Sequence, residues 1–309
     1  MKTLVTAYSN PDLDGTACAI AYTEYLQKKG NIDAICALFG TAHREAQFVF
    51  RTFNIPVPQS AESILTPDMH VIILDASDLR GISDKINPLQ VVEIIDHRKI
   101  HSADSFPNAK VQIELVGSAA TLVAEKFYFD KFEISPTSAA LLHSAIISNT
   151  VNFQANVTTD RDKVMAEWLH TKFALPQNYI RTMFADKSRF VKPLKETIED
   201  DFASFVFANK QVGIAQLEIV EVEKFIQNSR QELEESLQKL KQERSLDYIF
   251  LTAIDLVRAT NTFFVVDSAS QELVSKAVNV VFNNNTAVRQ GIMMRKTIAP
   301  LIKEVLESL

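Results

Sequence analysis

The sequence has few cysteines, no excess of basic residues and no long apolar run. Its two cysteines, Cys18 and Cys36, lack the spacing of a metal-binding pair and lie among apolar residues, which favours buried free thiols in a reducing compartment. The formal net charge of −6 argues against an extended nucleic-acid surface, since phosphate backbones require a basic face. No run approaches transmembrane length, and the short apolar run at the start is unlike a signal peptide. These absences predict a soluble cytoplasmic protein.

The first half of the chain predicts a doubly wound α/β domain. With 309 residues, the chain is long enough for two domains with separate cores. Short apolar runs alternate with helical segments, and such runs suit strands buried on both faces of a parallel sheet. The predicted strands are Leu4–Tyr8, Ala34–Phe39, His70–Leu74 and Val91–Ile95. The predicted helices are Thr16–Lys29, His43–Phe53, Ser118 to about 132, Thr137–Ile147 and Thr159 to about 173.

The second half of the chain predicts a smaller α+β domain. Its predicted strands are Gln211–Val220, Tyr248–Ile254 and Thr262–Val266, with an antiparallel pairing of the last two as one alternative. A long amphipathic helix is expected over Val222–Arg244. The charged stretch before it, which contains Pro193, is typical of a linker. We therefore expect one domain over residues 1–186, a linker over 187–195 and a second domain over 196–309.

Metal-type side chains follow three of the predicted parallel strands. Asp12 and Asp14 follow the first strand, Asp75 follows the third and His97 follows the fourth. Any one aspartate alone is more typical of a turn, but parallel strands end at one edge of the sheet, where ligands bind. Carboxylates suit Mg²⁺ and Mn²⁺, and an imidazole shifts the preference towards Mn²⁺ or another transition metal. The pattern predicts a divalent-cation site, in which a central Asp75 could bridge two ions.

A basic pair near the end of the chain is a candidate phosphate site. Arg295 and Lys296 follow a segment that starts at Gly291. Arginine binds phosphate as a planar fork and lysine as a point charge. A solvated pair of surface charges is the alternative interpretation.

Six segments together resemble one superfamily. They are Tyr8–Gly15, which contains Asn-Pro-Asp-Leu-Asp, Asp96-His97-Arg98, Gly117–Thr121, Ser144–Ser148, Asn284–Ala287 and Arg295-Lys296. The sequence is similar to the DHH phosphoesterase superfamily over nearly its whole length, above all to the manganese-dependent family II inorganic pyrophosphatases. The resemblance implies a DHH domain followed by a DHHA2 domain, which close over a shared site.

The same resemblance implies roles for individual residues. Asp12, Asp14, Asp75 and His97 match metal ligands of the family, and Arg295 and Lys296 match its phosphate-binding pair. Asn149 matches an aspartate ligand and can still offer a carbonyl oxygen to the metal.

Several positions depart from the family pattern. Tyr8 replaces a histidine ligand, and a phenol is a poor ligand at neutral pH. Arg98 replaces the second histidine of Asp-His-His, and Ala203 and Met294 replace a phosphate-binding lysine and a serine. Arginine cannot act as a general acid at neutral pH, but it can bind a phosphate oxygen permanently. With Asn149 in place of an aspartate, a second cation should bind more weakly.

The Asp-His-Arg sequence is similar to that of the prune-type short-chain exopolyphosphatases of the same superfamily. We therefore expect a metal-dependent hydrolase of phosphoanhydrides that acts on short-chain polyphosphate or pyrophosphate. Its cofactor would be Mn²⁺, Mg²⁺ or Co²⁺, as one or two ions, held by Asp12, Asp14, Asp75, His97 and Asn149. Asp75, His97 and Arg98 are the expected catalytic residues, and Arg98, Arg295 and Lys296 the expected substrate-binding residues.

Two other functions remain open at the level of sequence. The replaced ligands favour a descendant that binds polyphosphate, a nucleotide or a partner protein without turnover. The Asp14-Gly15 pair also resembles DHH nucleases, which would make the protein a phosphodiesterase of small nucleotides, although the DHHA2-like end opposes this. The expected partner is a small phosphate chain, with no membrane and no extended nucleic acid, and the resemblance allows a homodimer.

Overall fold

A computed structural model describes residues 2–79, 81–98 and 102–308, except for the side chain of Lys296. The chain divides into two compact units. The first unit comprises the residues up to 153 together with 157–183, and the second comprises 154–156 together with the residues from 184 onwards. Within the described residues, no helix has the length and apolarity needed to cross a membrane.

The first unit is built on a parallel sheet. Its strands are β1 (Thr3–Thr6), β2 (Ala34–Leu38), β3 (Gln59–Ser60), β4 (His70–Leu74), β5 (Val91–Asp96) and β6 (Lys110–Ile113). Its helices are α1 (Leu13–Lys28), α2 (Arg44–Phe53), α3 (Ala119–Asp130), α4 (Pro136–Asn149) and α5 (Asp160–His170), and α6 (Tyr179–Lys187) runs across the division between the units.

The order of the strands defines the edge of the first sheet at which a ligand would bind. All pairings are parallel, in the order β3-β2-β1-β4-β5-β6. This is the doubly wound arrangement, in which the chain reverses its direction of winding between β1 and β4. Ligands bind at this switch point, outside the carboxyl ends of the strands. Apolar β-branched side chains of the central strands, such as Val5 and Ile73, are completely buried, so this edge lies on a packed core.

The second unit has a mixed sheet covered on both faces. Its elements are α7 (Leu194–Asp200), β7 (Phe202–Phe207), β8 (Lys210–Ile219), α8 (Val222–Asn228), α9 (Arg230–Glu243), β9 (Tyr248–Asp255), β10 (Thr260–Val265), α10 (Ser268–Val278), β11 (Thr286–Gln290) and α11 (Arg295–Glu307). The order is β11-β10-β9-β8-β7, and only β8 and β9 are parallel. Leu233 and Leu237 of α9 pack on one face of the sheet, and Leu273 of α10 and Ile298 of α11 pack on the other.

The predicted fold class is confirmed, including the antiparallel pairing of the strands now labelled β9 and β10. Several boundaries differ from the prediction, and two of these differences have a local cause. Helix α1 starts at Leu13 rather than Thr16, because the Asp12 side chain caps it by accepting from the Gly15 N–H. The predicted helix over Val222–Arg244 is two helices, α8 and α9, separated at Ser229, a residue type whose hydroxyl competes with the helical backbone.

Candidate metal centre

Three loops bring the predicted ligands to the carboxyl edge of the first sheet. The loop after β1 carries Asp12 and leads into the first turn of α1, which carries Asp14. The loop after β4 carries Asp75, and the loop after β5 carries His97. Since β1 and β4 are neighbours, the first two loops meet at the switch point of the sheet.

Asp14, Asp75 and His97 form one compact group. Each offers a ligand atom, and these atoms all lie within 4.8 Å of one another. His97 Nε2 lies 3.4 Å from Asp75 Oδ1 and 3.8 Å from Asp14 Oδ2. The other ring nitrogen, Nδ1, is 2.9 Å from the Val116 carbonyl oxygen. This hydrogen bond orients the ring, so that Nε2 faces the carboxylates as a metal-binding histidine requires.

Asp75 is a buried carboxylate without a full set of donors. It has a φ of +56°, a left-handed conformation that aspartate tolerates better than most residues. The side chain is almost completely buried, and its Oδ1 atom has no hydrogen-bond donor. A buried acceptor without a partner is costly, and it marks this position as one that a ligand could complete.

The segment that starts helix α3 holds Asp14. This fully buried carboxylate accepts from the Ser118 hydroxyl and from the backbone N–H groups of Ala119 and Ala120, at 2.8–2.9 Å. The Cys18 thiol lies 3.5 Å from Asp14 Oδ1. The first N–H groups of a helix have no partner within it, and they suit an anion. Asp14 is therefore fixed by α3 with an oxygen towards His97.

The electrostatics of the group favour a cation. Burial, and then the neighbouring aspartates, raise the pKa values of Asp14 and Asp75 above the ordinary range. Burial disfavours the charged form of His97, but the Asp75 and Asp14 carboxylates outweigh it and raise the pKa of the imidazole to about 10. Without a metal ion, the group thus retains protons that a divalent cation would displace. Two carboxylates, one oriented imidazole and an acceptor without a donor fit a Mn²⁺-type ion.

Asp12 lies outside this group. Its carboxylate caps α1, and its backbone N–H donates to the Tyr8 hydroxyl at 3.0 Å. Burial and the charges of Asp12 and Asp75 raise the pKa of Tyr8, which keeps the phenol neutral. Where the resemblance implies a histidine ligand, this chain has a neutral hydroxyl. Asp12 is not part of the three-residue group, although its charge acts on both Asp14 and Asp75.

Arg98 occupies the space beside Tyr8. Its guanidinium lies 5.5 Å from the centre of the Tyr8 ring, and Nη2 donates to the Asp75 carbonyl oxygen at 2.9 Å. The side chain is 43% exposed, which leaves donors available to a ligand. The side chain of Asp96, unlike the exposed side chain of Arg98, is fully buried and accepts a hydrogen bond from the Ser77 hydroxyl.

Asn149 contacts the metal group as a donor. Its Nδ2 lies 2.6 Å from Asp14 Oδ2. The amide at the end of α4 thus donates to Asp14 at the position where the resemblance implies another carboxylate.

The predicted phosphate pair belongs to the second unit. Arg295 is the first residue of α11, and its guanidinium lies 2.6 Å from the Asp201 carboxylate and donates to the Asp201 carbonyl oxygen. Its backbone N–H donates to the Gln216 side chain. The side chain of Lys296 lies outside the described part of the structure.

Sequence reasoning missed the residues that hold the ligands. The sequence places Ser118 at the start of a predicted helix, and Ser118 does cap α3, but its hydroxyl also donates to Asp14. The hydroxyl is more than 100 residues away from Asp14 along the chain, so no spacing links the two. A Gly-Ser pair at a helix start, which is a common anion site, was the available signal.

Comparisons with known proteins agree with this architecture. Residues 181–305 match the family model of the DHHA2 domain. A crystal structure from Methanococcus jannaschii, provisionally assigned as a family II inorganic pyrophosphatase, is 30% identical and superposes with a TM-score of 0.67, covering 99% of this chain and 100% of that chain. "Probable manganese-dependent inorganic pyrophosphatase" proteins of Staphylococcus aureus strains N315 and MW2 are each 29% identical over 311 residues, which is 99% of both chains.

A more distant crystal structure shares the fold. An exopolyphosphatase-related protein from Bacteroides fragilis is 14% identical, with a TM-score of 0.50, and covers 99% of this chain and 92% of that chain. Together with the full-length match to the Methanococcus jannaschii structure, these findings confirm the predicted resemblance. The chain belongs to the DHH phosphoesterase superfamily, in the group whose members carry a DHHA2 domain.

Proposed function

We propose that the protein is a metal-dependent hydrolase of phosphoanhydrides that acts on pyrophosphate or short-chain polyphosphate. One observation carries the proposal: Asp14, Asp75 and His97 meet at the switch point, and a buried oxygen of Asp75 has no donor. The relatives described as manganese-dependent inorganic pyrophosphatases support both the reaction and the metal.

One ion is held more tightly than any second one. Asp14, Asp75 and His97 would bind it, and rotation of the Asn149 amide would add a carbonyl oxygen. Asp12 would have to bind a second ion with only the neutral Tyr8 hydroxyl and a shared Asp75. Mn²⁺ suits the first position better than Mg²⁺, because an imidazole is among the ligands.

The protein's own residues contribute charge and orientation. The bound ion would supply Lewis acidity towards a phosphoryl oxygen and towards the attacking water. Arg98 remains charged at any working pH, so it can bind a phosphoryl oxygen but cannot transfer a proton. His97 is oriented by the Val116 carbonyl, and Asp75 supplies the carboxylate nearest to it.

The phosphate-binding role of Arg295 and Lys296 is part of the proposal. Both terminal nitrogens of the Arg295 guanidinium contact Asp201, so a phosphate would bind its remaining N–H groups. We assign the metal centre to the domain predicted over 1–186 and this pair to the domain predicted over 196–309.

A matrix of substrates and metals tests the proposal. Phosphate release from pyrophosphate, tripolyphosphate and tetrapolyphosphate is measured with Mn²⁺, Mg²⁺ or Co²⁺ and after chelation. We expect metal-dependent release that is fastest with Mn²⁺, and its loss in Asp75→Asn. The matched control Asp68→Asn removes an exposed carboxylate of the same unit and should retain full activity.

Binding without turnover is the second candidate. The neutral Tyr8 and the amide of Asn149 favour it, because both reduce the charge available to a second ion. If no substrate releases phosphate with any of the metals, the hydrolase proposal is wrong. Calorimetric binding of tripolyphosphate to the Mn²⁺-loaded protein would then support the second candidate.

A further inference from the structure

A fully buried carboxylate lies behind the metal centre, outside the ligand group. Asp162 stands in the first turn of α5 and has no exposed surface. It accepts from the Thr159 N–H and the Thr159 hydroxyl, both at 2.7 Å, in a capping box that starts the helix. A helix cap alone would not require burial of a charge, which is costly unless donors surround it.

The other donors to Asp162 come from the segment that starts α3. The Gly117 N–H donates to both carboxylate oxygens, at 2.9 and 3.1 Å, and the Thr121 hydroxyl donates at 2.6 Å. Asp162 therefore joins the beginning of α5 to the beginning of α3, across 41–45 residues of sequence.

The five residues from Gly117 to Thr121 are divided between two buried aspartates. The outer donors, Gly117 and Thr121, bind Asp162. The inner donors, which are the Ser118 hydroxyl and the N–H groups of Ala119 and Ala120, bind Asp14. Because the segment is so short, fixing its two ends fixes the direction of the three inner donors.

The backbone at Gly117 packs so closely against Thr150 and Asp162 that it leaves no room for a side chain. A Cβ atom at this position would lie 2.5 Å from Cγ2 of Thr150 and 3.0 Å from Asp162 Oδ2. A side chain would thus push the segment away from Asp162, and the N–H could no longer reach both oxygens.

We propose that Asp162 is a positioning residue for the metal centre, which acts through residues 117–121 to set the orientation of Asp14. The inference rests on the proposed role of Asp14 as a metal ligand. Asp162 itself would touch neither metal nor substrate. Its effect would arise from preorganisation, since a ligand held in the productive geometry need not be ordered when the ion binds.

The test compares Asp162→Asn with a control that breaks a similar cap. Glu24 accepts from the backbone N–H and the hydroxyl of Ser135 and from the Ser138 hydroxyl, so its hydrogen bonds fix the start of α4 rather than the segment 117–121. Glu24→Gln should therefore destabilise the first unit without altering the metal site. Both variants are compared with the unaltered full chain by thermal unfolding, calorimetric titration with Mn²⁺ and the electron paramagnetic resonance spectrum of the bound Mn²⁺.

We expect Asp162→Asn to weaken Mn²⁺ binding at least about tenfold and to broaden the Mn²⁺ spectrum. Glu24→Gln should lower the unfolding temperature but retain the Mn²⁺ affinity and spectrum of the unaltered protein. Equal Mn²⁺ affinity in all three proteins would overturn the inference. If the unaltered protein does not bind Mn²⁺ at all, the proposed function fails instead, so the two failures are distinguishable.

A milder variant keeps the test decisive if Asp162→Asn does not fold. Thr121→Val removes one donor to Asp162 and leaves all three inner donors to Asp14 in place. Because the outer end of the segment is then loosened, Mn²⁺ affinity should fall about threefold, in the same direction as for Asp162→Asn. An unchanged affinity in folded Thr121→Val would count against the inference.

Discussion

Two aspartates of the first unit, Asp75 and Asp162, are equally buried but differ in their hydrogen-bond donors. Asp162 accepts from three residues, through two backbone N–H groups and two hydroxyls. Asp75 has a buried oxygen, Oδ1, without a well-formed hydrogen bond, and only the His97 ring nitrogen lies beside it, at 3.4 Å. Burial alone therefore does not identify a functional carboxylate. The supply of donors separates these two residues, because the protein itself satisfies Asp162, whereas Asp75 can still accept a cation; Asp14 has donors as well, but it also faces His97.

The largest expected effect comes from Asp75→Asn. The variant removes the carboxylate nearest to His97 and should lower phosphate release by about a thousandfold or more. It should also cost the metal-free protein less stability than Asp162→Asn does, because only the His97 imidazole lies beside Oδ1 of Asp75. Activity assays and urea unfolding in the presence of a chelator measure the two effects. A marked loss of stability without metal would contradict the contrast with Asp162.

Asp162→Asn should affect stability more than activity, which is the reverse of Asp75→Asn. An amide offers one acceptor and presents its own N–H₂ to the Thr159 and Gly117 donors, so buried groups lose their partners. We expect a loss of about 3 kcal/mol in the free energy of unfolding. Urea unfolding with a chelator, side by side with Asp75→Asn, gives the comparison. Stability changes of the same sign and size would show that donor supply does not separate the two aspartates.

The sequence predicts the central parts of the fold and not its edges. All seven strands expected from apolar runs are present, and the four strands missed, β3, β6, β7 and β11, are the edges of the two sheets. An edge strand pairs on one side only, so its sequence need not be continuously apolar. Lys110–Ile113, for example, is only partly buried.

Prediction of the site from the sequence is limited in a similar way. The ends of β1, β4 and β5 can be located from the sequence, and Asp14, Asp75 and His97 do meet there. Their metal-binding roles stay predictions. The division of donors between Asp14 and Asp162 could not be foreseen, because the partners lie 41 to 106 residues apart and depend on how α3 and α5 pack.

The pH dependence of the stability of the metal-free protein gives a further test of the comparison between Asp75 and Asp162. The pKa of His97 is about 10 in the folded chain, against an ordinary value near 6.5, so its protonation stabilises the folded state. This stabilisation is complete below about pH 6.5 and is lost as the pH rises through 10. The raised pKa values of Asp14 and Asp75 act in the same direction, since the folded state binds more protons than the unfolded state.

We therefore expect the metal-free protein to lose at least about 2 kcal/mol of stability between pH 6.5 and 10. Urea unfolding with a chelator across this range measures the slope. Asp75→Asn should flatten the slope by removing a carboxylate beside His97, and Asp162→Asn should preserve it. A flat profile for the unaltered protein would show that the ligand group does not retain protons.

The smallest of these effects is expected for Asn149→Asp, which replaces a hydrogen-bond donor at the metal group by an acceptor. The Asn149 amide donates to Asp14 Oδ2 at 2.6 Å, so Asn149→Asp replaces an attractive contact by repulsion between two carboxylates. Without metal the variant should be less stable, and with metal it has one more charged ligand. Mn²⁺ affinity by calorimetry should rise about tenfold, with Asn149→Ser as the control that removes the amide without adding charge. If Asn149→Asp binds Mn²⁺ no better than Asn149→Ser, then residue 149 does not face the ion. In that case the metal group, in which Asp75 lacks the donors that Asp162 has, would not include the end of α4.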